Sequence, residues 1–252
     1  MKKILFVCLC MLLSACRSPL GLHRAESSQQ NKEQLNSRKL DFSGFQWSVR
    51  DSKAKRVGPG GNVFSSSNDN VWVDESGRLH LKITKDARGC SSCAEVTLVG
   101  GPLGYGKYTF YISSDISKLD EHIVLGMFTY LHDAQEIDIE LSRWGDPEAE
   151  NAQFAVQPAE KPGNTKRFNI PGEASQSVHS FLWQPDSIAF QSYTQSLGQA
   201  EVLSAWSYQG EDIPKADAEE LKINLWLYRA KEPKADQELQ VVIDSVSFSK
   251  YP

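Results

Sequence analysis

Acidic residues recur at every second position in Glu136-Ile137-Asp138-Ile139-Glu140. Side chains of a strand alternate between its two faces, so Glu136, Asp138 and Glu140 share one face, while Ile137, Ile139 and Leu141 share the other and enter a core. Carboxylates packed this closely raise one another's pKa, and such a group can hold one protonated acid beside one charged nucleophile or base. Cleavage of a glycosidic bond needs that pair, about 5–5.5 Å apart in a retaining mechanism. Cα atoms at i and i+4 of a strand lie about 13 Å apart, at roughly 3.3 Å per residue, and two Glu side chains leaning inward close most of that gap. Asp138, between them, can hold a proton or hydrogen-bond the nucleophile. The alternative is a solvated acidic strand face; the bulky apolar flanks and nearby Trp144 favour a cleft.

The elements that must position these acids are strands. Val71–Val73 and Leu79–Ile83 alternate around the turn Glu75-Ser76-Gly77-Arg78, and Tyr105–Ile112 alternates strongly. Ile123–Leu131 is nearly all apolar, as in a strand buried on both faces. Further strands are read at Glu95–Val99, Glu136–Ser142, Gln153–Val156, Ser177–Trp183, Ser187–Ser192, Lys222–Leu227 and Leu239–Lys250. Helical periodicity is hinted at only over Ala216–Leu221. About a dozen short strands without a long helix predict an all-β sandwich or jelly roll. A net charge of −5 and the lack of a basic stripe argue against a nucleic-acid partner.

The first residues suggest export. Lys2 and Lys3 precede an apolar run from Ile4 to Leu13, too short for a membrane span but suited to a signal peptide. Leu13-Ser14-Ala15-Cys16 resembles the bacterial lipobox, which implies cleavage after residue 15, acylation of Cys16 and a lipid anchor in the cell envelope; Arg17 in place of Asp favours the outer membrane. Residues 16–39 are polar and read as a flexible tether, and residues 40–252 as one domain. Cys8 and Cys10 leave with the signal. Cys90 and Cys93 are read as a small structural disulfide, with free thiols as the alternative; a metal site would want further Cys or His nearby.

Glu136-Ile137-Asp138-Ile139-Glu140 resembles the catalytic signature of glycoside hydrolase family 16, with the single-residue spacing before Glu140 of its lichenase and xyloglucan branch. Other stretches follow in the family's order: Ala94-Glu95, Tyr105-Gly106-Lys107-Tyr108, Val178–Ile188, Ile223-Asn224-Leu225-Trp226 and Val242–Val246. The resemblance implies a β-jelly roll of two curved antiparallel sheets with a substrate cleft on the concave face. It implies Glu136 as nucleophile, Asp138 as assisting acid, Glu140 as general acid/base, and net retention of configuration.

Trp144 and Trp226 are candidate sugar platforms, with core packing as the alternative. Glu95 and Asn224 are candidates for sugar hydroxyls, with surface strand residues as the alternative, and Arg143 for an acid or an anionic sugar, with a solvated side chain as the alternative. Family members often carry a structural calcium, for which Asp244 matches the side-chain ligand and Gly77 the carbonyl; the chemistry itself requires no cofactor. A monomer acting on a polysaccharide is expected. Thr97 stands where the family often has an Arg, and Leu141-Ser142-Arg143 replaces the lichenase Phe-Leu-Gly, so the glycan is left open. A transglycosylase and a non-catalytic carbohydrate-binding lipoprotein are the alternatives.

Overall fold

The computed structural model describes residues 37–172, 176–196, 199–234 and 239–252, with the side chains of residues 195, 196 and 199 left aside. Cys16, the signal segment and residues 17–36 lie outside them. Arg38 and Lys39, expected in the tether, belong to the fold. Arg38 donates from Nε to the Ser66 carbonyl and from a terminal nitrogen to the Val71 carbonyl, both at 2.7 Å, and Lys39 pairs with Ser48.

Two antiparallel sheets pack face to face. The first contains, in spatial order, β1 (Lys39–Phe42), β2 (Phe45–Val49), β7 (Ala94–Leu98), β16 (Glu220–Leu227), β9 (Ile123–His132), β10 (Gln135–Leu141), β11 (Ala152–Val156) and β12 (Thr165–Phe168). The second contains β15 (Gln199–Tyr208), β14 (Ile188–Ser196), β13 (Ser177–Trp183), β8 (Gly106–Ile112), β17 (Gln240–Lys250), β4 (Leu79–Lys82) and β3 (Val71–Val73). A short hairpin joins β5 (Thr84–Lys85) and β6 (Ser91–Ser92). This is the expected jelly-roll sandwich. The helical hint at Ala216–Leu221 is overturned: those residues bend into β16, while Glu219 accepts from the backbone N–H groups of Gly104 and Asp217.

Period-two patterning builds the core. Ile137, Ile139 and Leu141 of β10 point inward with Leu125 and Met127 of β9 and Ile223 and Leu225 of β16, all fully buried. Across the interface they meet the layer that includes Phe110, Phe181, Phe190 and Ile243. Trp47 and Trp183 are buried with their indole N–H groups satisfied by the Phe42 and Pro214 carbonyls. β9 occupies the centre of its sheet, which is why its apolar run is buried on both faces as far as Thr129.

The expected Cys90–Cys93 disulfide is not formed; both thiols are free. Extended β6 lies between them, placing their Cα atoms about 10 Å apart at roughly 3.3 Å per residue, beyond the reach of an S–S bond. Cys90 is exposed in the β5–β6 turn, whereas Cys93 is buried and its thiol is pushed up to about 12 by that burial.

Gly106 lies where the Phe248 ring crosses β8. A Cβ there would meet Phe248 Cε2 at 2.4 Å and the Ser249 carbonyl oxygen at 2.6 Å. Gly106→Ala is therefore expected to destabilise the domain by about 2 kcal/mol through overpacking, measured as a fall in the urea midpoint with an unchanged slope.

Candidate active site

The face of the first sheet turned away from the core carries the acids, and strand register sets their neighbours. One row runs across six strands: Glu95 on β7, Asn224 on β16, Gly126 on β9, Glu140 on β10, Gln153 on β11 and Arg167 on β12. The next row contains Thr97, Lys222, Phe128, Asp138, Ala155 and Thr165. A third brings Glu220 and Tyr130 beside Glu136. From Glu136 to Leu141 the β9–β10 pairing is unbroken; its irregularity lies just before, between Gln135 and Glu136. The three acids therefore sit on a regular stretch of strand, as their spacing predicts.

Burial dominates their electrostatics. Asp138 is 2 % exposed, and Glu136 and Glu140 are half-buried. Desolvation pushes Glu136 up to about 7, reinforced by the charge of Asp133 and opposed by a hydrogen bond from Asp138. Asp138 is held well above the usual carboxylate range by burial and then by the charges of Glu136 and Glu140. Their mutual hydrogen bond favours the proton on Asp138 and the charge on Glu136. Glu140 is also pushed up to about 7, by burial first, against a hydrogen bond from Gln153 and the charge of Arg167. Two carboxyls near neutrality with different partners are suited to an acid and a nucleophile.

Two amides hold the acids from β11 and the turn after it. Gln153 donates Nε2 to Glu140 Oε2 at 2.7 Å. Gln157 donates Nε2 to Asp138 Oδ2 at 3.0 Å, while its own oxygen accepts from the Ala159 backbone N–H. A backbone N–H only donates, so the Gln157 amide cannot turn round, and Asp138 must carry its proton on Oδ1.

Glu95 and Asn224 lie in the same row as Glu140. Glu95 is buried, accepts from Asn224 Nδ2 at 3.3 Å and pairs with Arg50 at 2.9 Å. Asn224 Oδ1 has no partner. Trp226 is buried and belongs to the core cluster, the alternative to a sugar platform; it packs edge-on against half-buried Trp144 at 5.9 Å, and Tyr228 adds a second edge to Trp144 at 5.3 Å. The Trp144 indole N–H is buried and unpartnered.

Arg143 reaches the Ser117 carbonyl at 3.5 Å, and among the described residues no acid of the strand is paired with it. Asp244 sits half-buried beside a bulge in β17; among the described residues the one group of three possible metal-binding side chains is Asp120, Glu121 and His122, which excludes it. The recesses lined by Arg38, Trp72 and Lys82, and by Tyr105, Pro185 and Tyr251, contain none of the three acids.

Sequence reading missed Arg50, Gln153, Gln157, Arg167 and Lys222. A signal existed for some of them: Gln153 and Gln157 alternate with buried Phe154 and Val156, and Lys222 shares the parity of Asn224 and Trp226.

No protein-family model matches the chain, and no curated protein does. Solved structures do match. A β-glucanase of Bacillus licheniformis superposes with a TM-score of 0.62 at 22 % identity, covering 87 % of this chain and 97 % of its own. A β-1,3-1,4-glucanase (lichenase) from a mouse hindgut metagenome gives 0.58 at 22 %, over 81 % and 93 % of the two chains. An endo-1,3-β-glucanase from Streptomyces sioyaensis gives 0.57 at 12 %, over 81 % and 90 %. At these identities the likeness establishes a shared jelly-roll fold.

Two expectations follow from the site. A Cβ at Gly126 would lie 2.6 Å from Asn224 Oδ1; Gly126→Ala should displace the Asn224 amide and cost about 1–2 kcal/mol, read from the denaturation midpoint. The raised acids also set a pH dependence. Between the ordinary carboxylate range and about pH 7, the unfolded chain ionises Glu140 while the fold keeps it protonated, so stability is lost as pH rises. Glu140→Gln should therefore melt about 3 °C above the parent at pH 8, with the gain vanishing towards pH 4; a gain independent of pH would contradict the raised acid.

Proposed function

We propose that this protein is a retaining, endo-acting glycoside hydrolase of family 16 type that cleaves a β-linked glucan. The observation that carries this reading is the grouping of Glu136, Asp138 and Glu140 on one outward strand face, each with a raised pKa and a distinct hydrogen-bond partner. The glucanase names of proteins sharing the fold support the choice of glucan.

Ionised Glu136 attacks the anomeric carbon while Glu140 gives its proton to the departing glycosidic oxygen. The C–O bond to the leaving sugar breaks as an ester forms between Glu136 and the remaining sugar. Glu140, now a carboxylate, takes a proton from water; the water oxygen attacks the same carbon and Glu136 departs as a carboxylate, so two inversions give retention. The Asp138 proton stabilises the charge on Glu136 before attack and after release. Glu95 and Asn224 would bind sugar hydroxyls, and half-buried Trp144, backed by buried Trp226, would stack on a sugar face. Export and lipid anchoring through Cys16 complete the reading and would place the enzyme in the cell envelope, with the outer membrane favoured by Arg17.

The test compares the purified parent with Glu136→Gln on β-1,3/1,4-glucan, laminarin, agarose, carrageenan and xyloglucan. The parent should release reducing ends from a β-glucan with the β-anomer formed first by NMR, and the variant should lose about 10⁴-fold or more in kcat. Equal product from both proteins would remove Glu136 as nucleophile. Binding without product from either would make the domain a carbohydrate-binding module.

A further inference from the structure

The Gln153 amide is held differently from that of Gln157. Gln153 Oε1 accepts from a terminal nitrogen of Arg167 at 3.2 Å, while Gln153 Nε2 donates to Glu140 Oε2. The same guanidinium is tied down through its other terminal nitrogen to the Ser142 carbonyl at 3.2 Å and to the Glu150 carbonyl. Gln153 is buried and Arg167 half-buried, in adjacent register positions on β11 and β12. A guanidinium has donors and no acceptor. The Gln153 oxygen must therefore face Arg167, its NH₂ must face Glu140, and Oε2 of Glu140 must accept.

We propose that Arg167 is a positioning residue for the acid/base step: by fixing the polarity of the Gln153 amide, it confines the transferable proton of Glu140 to Oε1. This deepens the hydrolase reading above and rests on its assignment of Glu140. When Glu140 is the acid, the proton lies on the oxygen free of Gln153. When Glu140 is the base, the charge left behind is held by the Gln153 N–H, which Arg167 polarises. Without Arg167 the Gln153 amide is free to turn, present its oxygen to Glu140 and draw the proton onto Oε2, away from the substrate.

The other groups facing Glu140 do not supply this control. On its own strand the charge of Glu136 pushes its proton affinity up, and Asp138 is an acid held in its protonated form. From β9 it faces Gly126, and beyond that Asn224 on β16, neither of them charged. Arg167 is the cation that acts on Glu140.

The experiment measures Arg167→Met, Arg167→Lys and Gln153→Leu against the parent. The primary readout is the ¹³C-NMR titration of the Glu140 carboxyl, which needs no substrate. Arg167→Met should raise its apparent pKa by about one unit, Gln153→Leu should do the same while keeping the Arg167 bonds to Ser142 and Glu150, and Arg167→Lys should restore part of the parent value. On polysaccharide, the alkaline limb of kcat/KM should move up with the titration and kcat should fall about tenfold. A dinitrophenyl glycoside, whose leaving group needs no proton, should keep nearly the parent kcat/KM, which reports only formation of the ester.

An unmoved Glu140 titration in both Arg167→Met and Gln153→Leu overturns the proposal. So does a fall in kcat/KM that is equal for both substrates and at every pH, which is what loss of a strand tie alone would give. The hydrolase reading is judged separately through its nucleophile by Glu136→Gln: if that variant is inactive while the Arg167 and Gln153 variants titrate like the parent, the relay fails and the hydrolase reading stands. Full activity of Glu136→Gln removes both.

Discussion

The rest of the site answers one electrostatic problem, the packing of three carboxyl groups onto a strand face that withholds them from water. An ion pair would relieve it most directly, but a guanidinium bound to each acid would keep them charged and remove any acid. The sheet instead brings neutral amides against Glu140 and Asp138 and keeps its cations a step away. Arg167 acts from the neighbouring strand, and Lys222 pairs with Glu220 at 2.8 Å while lying over the Tyr130 ring. The result is partial compensation: Glu136 and Glu140 stay near neutrality, where gaining and losing a proton are both accessible, and Asp138 is held higher.

The same strands do opposite work on their two faces. The inner side chains of β9, β10 and β16 are close-packed aliphatics that can carry the cost of the outer ones. Polar groups without partners collect here rather than elsewhere: among the described residues the unsatisfied buried side-chain atoms are Asn224 Oδ1 and the Trp144 indole nitrogen. Both lie on or beside the acid face, where a ligand rich in hydroxyl groups would supply the missing partner. Trp144 also adopts a φ of 55°, a left-handed conformation uncommon for a large residue, and Gly145 continues the turn at 82°.

How much of this could be read in advance depended on the range of the interaction. Alternation placed the three acids, their inward partners and the buried strand β9, because period two is a local property of the chain. Glu95 and Asn224 were legible through resemblance, and the structure joins them by a hydrogen bond. The sequence pattern said nothing of Arg167, which lies 27 positions from Glu140 and acts through a glutamine on a third strand; only register makes them neighbours. Arg143 misled for the converse reason: nearness in sequence suggested nearness in the site, but the chain leaves the strand at Ser142 and the side chain turns to Ser117. The cysteine pair misled because a short spacing says nothing of whether the intervening residues are turned or extended.

The irregularity before Glu136 has a consequence for how this surface can vary. His132 faces Gln135, but Tyr130 faces Glu136, so Leu131 is an extra residue absorbed on β9. Because side chains alternate, a one-residue slip between β9 and β10 would turn the three acids into the core and the isoleucines out. The bulge takes up such a slip at the hairpin tip, and the pairing of 136–141 on both sides holds the phase. The tip can thus drift in length across related sequences, while the parity of the acid strand is inherited from its neighbours in the sheet.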